Sequence, residues 1–373
     1  MMLLILGIIL FICLVLVHEW GHFIVARRNG VEVEEFGLFF PPRAKVITKR
    51  NGTEYTLNWL PLGGFVKLKG ENDADRRPGT FGAASTWVKT KIMLAGVAMN
   101  LVAAFVILTI LAWIGMPQLV ENQFTVASDT TVTKQQVLVG YIADGSPAAE
   151  AGLERGDVLK AIGTSETQQR TIQSAAELPE LTEEYAGQEV YVRIERAGET
   201  QNVPLTLRTT EAVEASKDTD DPQGYLGVAP TEYTQQRSTW SAPIVAGGLI
   251  AQFTELTFKG LGTAISSLFH GDTQTASEQV AGPVGIFVVL NQGTLLGFEF
   301  VLLVIAVISL SLAIMNALPI PALDGGRLFV LLISRLIKKP LSKEAEEAIH
   351  GTGFMFLIGL IILITIVDVR RFF

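Results

Sequence analysis

The chain has 373 residues, a net charge of −8 and 49% hydrophobic residues, with a mean hydropathy of +0.38. So apolar a composition excludes an ordinary soluble enzyme, and the acidic balance excludes a nucleic-acid binder, which needs a basic stripe to neutralise phosphates. The single cysteine, Cys13, can form no intramolecular disulfide.

The first apolar run, residues 2–26, lacks a basic leading region, and no small-x-small cleavage site follows it. It therefore reads as a retained membrane helix rather than a cleaved signal. Inside it lies His18-Glu19-Trp20-Gly21-His22, which holds two of the four histidines of the chain. Residues at i and i+4 share one helix face, so His18 and His22 can grip one metal ion, and neutral imidazole suits zinc. Glu19, next to the first imidazole, can accept a proton from a metal-activated water. The plainer reading is a satisfied structural cluster. Two imidazoles and a carboxylate at membrane depth are costly, however, and such groups normally mark function. His270 and His350 fall in polar stretches and read as surface residues.

Residues 31–69 alternate in strand fashion around 31–34, 55–60 and 64–68, and Asn51-Gly52 is a hairpin turn signal. A second apolar run, 91–116, is long enough to span a bilayer, which takes roughly 20 residues. The region that follows carries Val137–Ile142, a Gly145-Ser146-Pro147 turn, a short helix ended by Gly152, the Gly156-Asp157 turn and further strands at 191–194 and 203–207. It reads as a β-rich module of about a hundred residues. Residues 242–269 are apolar but include Gln252, Glu255 and Lys259, which favours an interfacial amphipathic helix over a span.

The third and fourth spans are expected at 299–318 and 352–369, with a shorter apolar piece at 327–337. Between them, Asn316-Ala317-Leu318-Pro319-Ile320-Pro321-Ala322-Leu323-Asp324-Gly325-Gly326 must break the helix, because the prolines lack N–H donors. Irregular backbone at membrane depth is tolerated where it is buried in protein or lines a wet cavity. Catalytic zinc usually has three protein ligands, and Asp324 is the best candidate for the third; its plainer reading is a loop-capping Asp. Asn316 is a candidate donor to the scissile carbonyl or its oxyanion. The loops 27–91 and 327–343 are rich in Lys and Arg, which by the positive-inside rule makes them cytoplasmic and puts both termini and the long central region outside.

With these motifs assembled, the chain resembles the site-2 protease family of intramembrane zinc metalloproteases, and most of all its bacterial branch that cleaves anti-sigma factors. The resemblance rests on the His-Glu-x-x-His motif and on Asn316-x-x-Pro319-x-x-x-x-Asp324-Gly325. Three further pieces agree: Pro61-Leu62-Gly63-Gly64-Phe65-Val66-Lys67, Gly96-Val97-Ala98-Met99-Asn100 and Gly282-Pro283-Val284-Gly285-Ile286. The resemblance implies a multi-pass α-helical membrane protein of about four transmembrane helices, with a membrane-associated β-hairpin or sheet and one extracytoplasmic β-rich PDZ-like domain. The implied division is 1–30 (first span), 31–88 (hairpin region), 89–116 (second span), 117–230 (PDZ-like domain), 231–297 (interfacial helix region) and 298–373 (third and fourth spans).

It further implies one Zn2+ per chain on His18, His22 and Asp324, Glu19 as general base, and substrate contacts at Asn316 and along Gly63, Gly64, Phe65 and Val66. Gly224-Tyr225-Leu226-Gly227 would form the carboxylate loop of the PDZ-like domain, against a plain strand-end turn as the simpler reading. The implied substrates are single-span membrane proteins already shortened by another protease, cut within the lipid bilayer of the cell membrane. The best-known enterobacterial relative has two PDZ modules, whereas this chain has room for one. A non-catalytic receptor would predict a degraded metal set, and a metal transporter would need polar residues along more than one span; neither pattern is present in the sequence.

Overall fold

The N-terminal apolar run folds as one continuous helix, α1 (Met2–Arg28), and the motif at 18–22 does not interrupt it. A helix satisfies its own backbone polar groups, which lipid cannot do. The computed structural model describes residues 2–71, 75–219, 222–339 and 342–372. They form two units, Met1–Ala112 with Ser241–Phe373, and Trp113–Trp240.

After α1 come two long antiparallel strands, β1 (Val33–Arg50) and β2 (Thr53–Leu68). Their turn at Asn51-Gly52 has positive φ at both residues, as a type I′ hairpin requires. The expected separate strands merge here into two bent ones. β1 bends near Phe39 and β2 near Gly63, each with φ +68°. Each strand therefore supplies two rows of one small sheet, in the order 43–50, 53–58, 33–38, 64–68. The row 64–68 is an outer one. Helix α2 (Thr86–Ile114) follows, with Lys89 fully buried near its start; the Lys89 Nζ donates to the Gly82 carbonyl (2.8 Å) and lies over the Phe81 ring.

The second unit contains β3 (Met116–Pro117), β4 (Thr131–Ile142), α3 (Pro147–Glu150), β5 (Val158–Gly163), β6 (Arg170–Thr171), α4 (Leu178–Glu184), β7 (Glu189–Arg196), β8 (Glu199–Thr206), α5 (Thr210–Ser216) and β9 (Val228–Arg237). The strands form one antiparallel sheet in the order β3-β9-β4-β5-β7-β8, with β6 on β5. Alternation in β7 buries Val190, Val192 and Ile194 against Val137, Val139, Leu159 and Ile162. Each such side chain contributes about 1.5–3 kcal/mol on full burial. Asp157, buried at the residue before β5, takes Arg196 in a two-point grip (2.7 and 2.6 Å) that ties the β5 turn to β7.

The chain then returns to the first unit through α6 (Ala242–Phe269), α7 (Thr273–Glu278), α8 (Pro283–Gly293), α9 (Phe298–Ala317), α10 (Asp324–Leu336) and α11 (Lys343–Phe372). Among the described residues, α1, α2, α9 and α11 are long and apolar enough to cross a membrane. Their outward faces carry large exposed apolar groups, such as Ile9 on α1, Val102 on α2 and Ile362 and Leu363 on α11. Such a surface is suited to lipid rather than water. Inside, Leu14, Leu290, Val301, Val304 and Ile305 join α1, α8 and α9 in one cluster. The short apolar piece expected at 327–337 is the separate helix α10. It begins at Asp324 because Pro319 and Pro321 prevent α9 from continuing.

Candidate active site

One turn of α1 presents His18 and His22 on a common face. Their Nε2 atoms lie 3.2 Å apart, and Asp324 Oδ2 lies 3.2 Å from the first and 3.1 Å from the second. Two residues one turn apart in one helix thus meet a carboxylate that the sequence places some 300 positions later. Close helix packing makes the meeting possible. A Cβ on Gly21 would lie 2.6 Å from the Ala95 carbonyl, and a Cβ on Gly96 would strike both imidazole rings. The bare Gly96 backbone of α2 is therefore the wall against which the histidines rest.

The acid arrives by an equally tight turn. Ala322 has φ +77°, and any side chain at Gly325 or Gly326 would overlap the carbonyls of Ala317, Leu318 and Ile320. Asp324 is the first residue of α10, with its carboxylate aimed back at the histidines. Its Oδ2 is buried and receives no hydrogen bond among the described residues.

These atoms fit a metal ion. A tetrahedral zinc with nitrogen and oxygen ligands at roughly 2.0–2.1 Å spaces those ligands about 3.3 Å apart. The observed triangle, 3.1–3.2 Å on each side, matches that spacing. The imidazole–imidazole–carboxylate donor set also suits zinc, and the buried carboxylate oxygen lacks any other partner. His22 Nδ1 lies 2.7 Å from the Ile92 carbonyl, which fixes the ring.

Glu19 faces the outer row of the small sheet. A Cβ on Gly64 would lie 3.3 Å from its Cγ, and the Val66 backbone N–H is among the groups acting on its carboxylate. Of the hairpin residues singled out from sequence, Gly64 and Val66 therefore reach the site. Phe65 instead covers Gly37, and Gly63 packs on the Phe40 ring. Asn316 sits in the last turn of α9, where its amide donates to the Leu312 carbonyl (3.0 Å). His270 is exposed, but His350 is partly buried and, with Glu71, Ala322 and Arg327, lines a cavity of about 430 Å³ behind the Asp324 turn. Its reading as a surface residue is therefore corrected. The half-buried position follows from helix packing, since nearby Gly353 abuts Pro321 of that turn.

In the second unit, residues 224–227 form a loop whose carbonyls turn inward. Those of Tyr225, Leu226 and Gly227 accept from the N–H groups of Arg208, Ala148 and Ala143. Leu226 is buried in the core, and Gly227 has φ +77° with Ser146 occupying the place of a side chain. From 228 onwards β9 pairs with β4 along one edge, while on the other β3 pairs with Gln235 and Gln236 and the Gln118 N–H donates to the Thr234 carbonyl (2.9 Å).

The sequence alone assigns no role to Gly21, Gly96 or Asn100. Asn100 is fully buried, 3.3 Å from His18 Nδ1. The signal for these residues lay in the small-residue pattern of 96–100, but what it meant depended on which helix crossed there.

The model of peptidase family M50 matches residues 6–360. The chain belongs to peptidase family M50. A zinc metalloprotease candidate of Clostridium perfringens is 32% identical over 369 residues, spanning 99% of this chain and 98% of its own length. The zinc metalloprotease RasP of Shouchella clausii is 27% identical over 446 residues, and the regulator of sigma-W protease RasP of Bacillus subtilis is 28% identical over 450 residues. Each covers 98% of both chains. This M50 peptidase is a zinc metalloprotease of the site-2 protease family, built on helices able to cross a membrane.

Proposed function

We propose that this M50 peptidase hydrolyses peptide bonds within or near the membrane-spanning segments of single-span proteins, with His18, His22 and Asp324 as its zinc ligands. The convergence of those three side chains on one point is the observation that carries the reading. Zinc, when bound, supplies a Lewis acid and lowers the pKa of a water towards neutrality. Glu19 then takes the proton of the attacking water and returns it to the leaving amine. Asn316 releases the Leu312 carbonyl and donates to the scissile carbonyl as charge develops there.

A transmembrane helix hides its peptide bonds, so the substrate must be drawn into extended form. The outer row 64–68, beside Glu19, supports pairing with such a segment as an added edge strand. The second unit acts as a PDZ-like domain outside the cytoplasm, in keeping with the basic loops at 27–91 and 327–343, and α6 lies along the membrane interface. Substrates arrive already shortened by another protease. The name of the Bacillus subtilis relative supports an anti-sigma factor as one class of substrate.

The deciding experiment is cleavage of a model single-span substrate by the wild type and Glu19→Gln. Loss of at least a hundredfold in rate is expected from removing the base, since general acid–base catalysis supplies about 10²–10⁴. Equal rates would sink the mechanism.

A further inference from the structure

The two histidines differ in what holds the ring nitrogen that faces away from the convergence point. His22 Nδ1 meets the Ile92 carbonyl at 2.7 Å, and a carbonyl can only accept. His22 therefore carries its proton on Nδ1, and its Nε2 lone pair points at Asp324 and His18. His18 Nδ1 meets the side-chain amide of Asn100 at 3.3 Å, and an amide can either donate or accept.

The two ends of that amide are exchanged by a half-turn. With the NH2 end towards His18, Nδ1 is an acceptor and the imidazole proton sits on Nε2, the atom that faces Asp324. That tautomer cannot ligate a metal there. In the same orientation Asn100 Oδ1 is buried without a donor. With the amide turned, Oδ1 gains the donor it lacks, Nδ1–H of His18, and the Nε2 lone pair is released towards the centre.

The placement of Asn100 adds a mechanical role. It is fully buried on α2, and its backbone carbonyl accepts from Ser309 Oγ of α9 at 2.8 Å. Helix α9 is the one that runs into the turn bearing Asp324. One residue thus holds the imidazole of α1 by its side chain and the helix leading to the carboxylate by its main chain. Gly96, one turn earlier on the same helix, is the surface on which both rings rest.

We propose that Asn100 is a positioning residue for the metal centre, accepting through Oδ1 from His18 Nδ1–H so that His18 is held in the metal-binding tautomer and in register with Asp324. The proposal rests on the ligand assignment given above. Groups that hydrogen-bond the far nitrogen of a ligating histidine orient it and raise its basicity, and their loss typically costs about 10–100-fold in metal affinity.

The test is zinc affinity of the purified full-length protein, read as bound zinc after dialysis against chelator-buffered free zinc, with visible absorption of the Co2+-loaded protein as a second readout. Asn100→Leu, similar in size but without an acceptor, should weaken zinc by about 10–100-fold and shift the Co2+ spectrum. Asn100→Asp retains an acceptor and should hold zinc at or above wild-type affinity. A residue needed only for packing would not be rescued in this way, so weakening by Asn100→Asp equal to that by Asn100→Leu overturns the proposal even if the Leu variant is poorly folded. Wild-type affinity in a folded Asn100→Leu protein overturns it as well. His18→Ala separates the two levels. If it binds zinc like the wild type, the ligand assignment itself has failed; if it loses zinc while Asn100→Leu keeps it, only the role of Asn100 has failed.

Discussion

At the scale of single residues the site depends as much on absent side chains as on present ones. Gly96 offers the histidines a bare stretch of backbone, and the smallest added group would meet His22 Nε2 and two atoms of the His18 ring. Helix geometry alone would welcome alanine at this position, since glycine costs about 1 kcal/mol relative to it within a helix. Gly96→Ala should therefore improve helix propensity yet displace both imidazoles from Asp324. The expected result is a folded protein that has lost stoichiometric zinc and its protease activity together. A Gly96→Ala enzyme with full zinc content would show that the rings can move aside, and the close approach would then have no functional weight. The same reasoning explains why Gly325 and Gly326 follow the acid: they let α10 start directly beneath the carbonyls of the preceding turn.

Elements show where the sequence is readable and where it is not. The four long apolar helices, the shared face of His18 and His22 on α1 and the break before Asp324 are all legible in the sequence, because each follows from local chemistry: apolar length, a spacing of four, and prolines without donors. The bending of β1 and β2 into four rows could not, because it depends on positive φ at Phe39 and Gly63 and on pairing along both edges of 33–38. The pattern at 96–100 gives Asn100 no role, since only the crossing of α1 and α2 puts it beside His18.

The pairing of α8 with α11 is of the same tertiary kind. Asp368, almost wholly buried in an apolar helix, accepts from the Gly285 N–H at 2.7 Å. Side chains at Gly282 or Gly285 would lie 2.8 and 3.2 Å from its carboxylate, so these glycines are what admit it to the first turn of α8. A carboxylate at a helix N-terminus satisfies an otherwise orphaned donor and complements the helix dipole. Asp368→Leu should lower stability by about 1.5–3 kcal/mol, the usual worth of a charged hydrogen bond. Asp368→Asn, which retains an acceptor, should lose less. Unfolding curves in one detergent would measure both, and a Leu variant as stable as the wild type would leave the contact without energetic weight.

For the whole molecule, the question is what the second unit contributes to a protease whose chemistry lies in the first. Its loop at 224–227 turns three carbonyls into the core, and the N–H groups of Tyr225, Leu226 and Gly227 donate no hydrogen bond among the described residues. Beside that loop runs the edge of β9 from 228 to 233, with no backbone partner on the side away from β4 among the described residues. Free N–H groups at the head of an open strand edge suit an extended peptide that ends in a carboxylate, and Arg208, whose guanidinium donates to the Gly224 carbonyl, adds positive charge there. Trimming of a substrate by an earlier protease would create such an end.

Such a unit could instead act by excluding substrates that still carry a bulky external domain, and the two duties predict different binding. If it holds a C-terminus, the full-length protein should bind a hydrophobic peptide with a free carboxylate at least tenfold more tightly than its amidated twin, a difference of about 1.4 kcal/mol. Gly227→Val, which forces a branched residue into φ +77° against Ser146, should abolish that preference. Equal binding of the two peptides would eliminate capture and leave size exclusion. In that case cleavage of single-span substrates should fall as a folded external domain is added, whatever the chemistry of their ends.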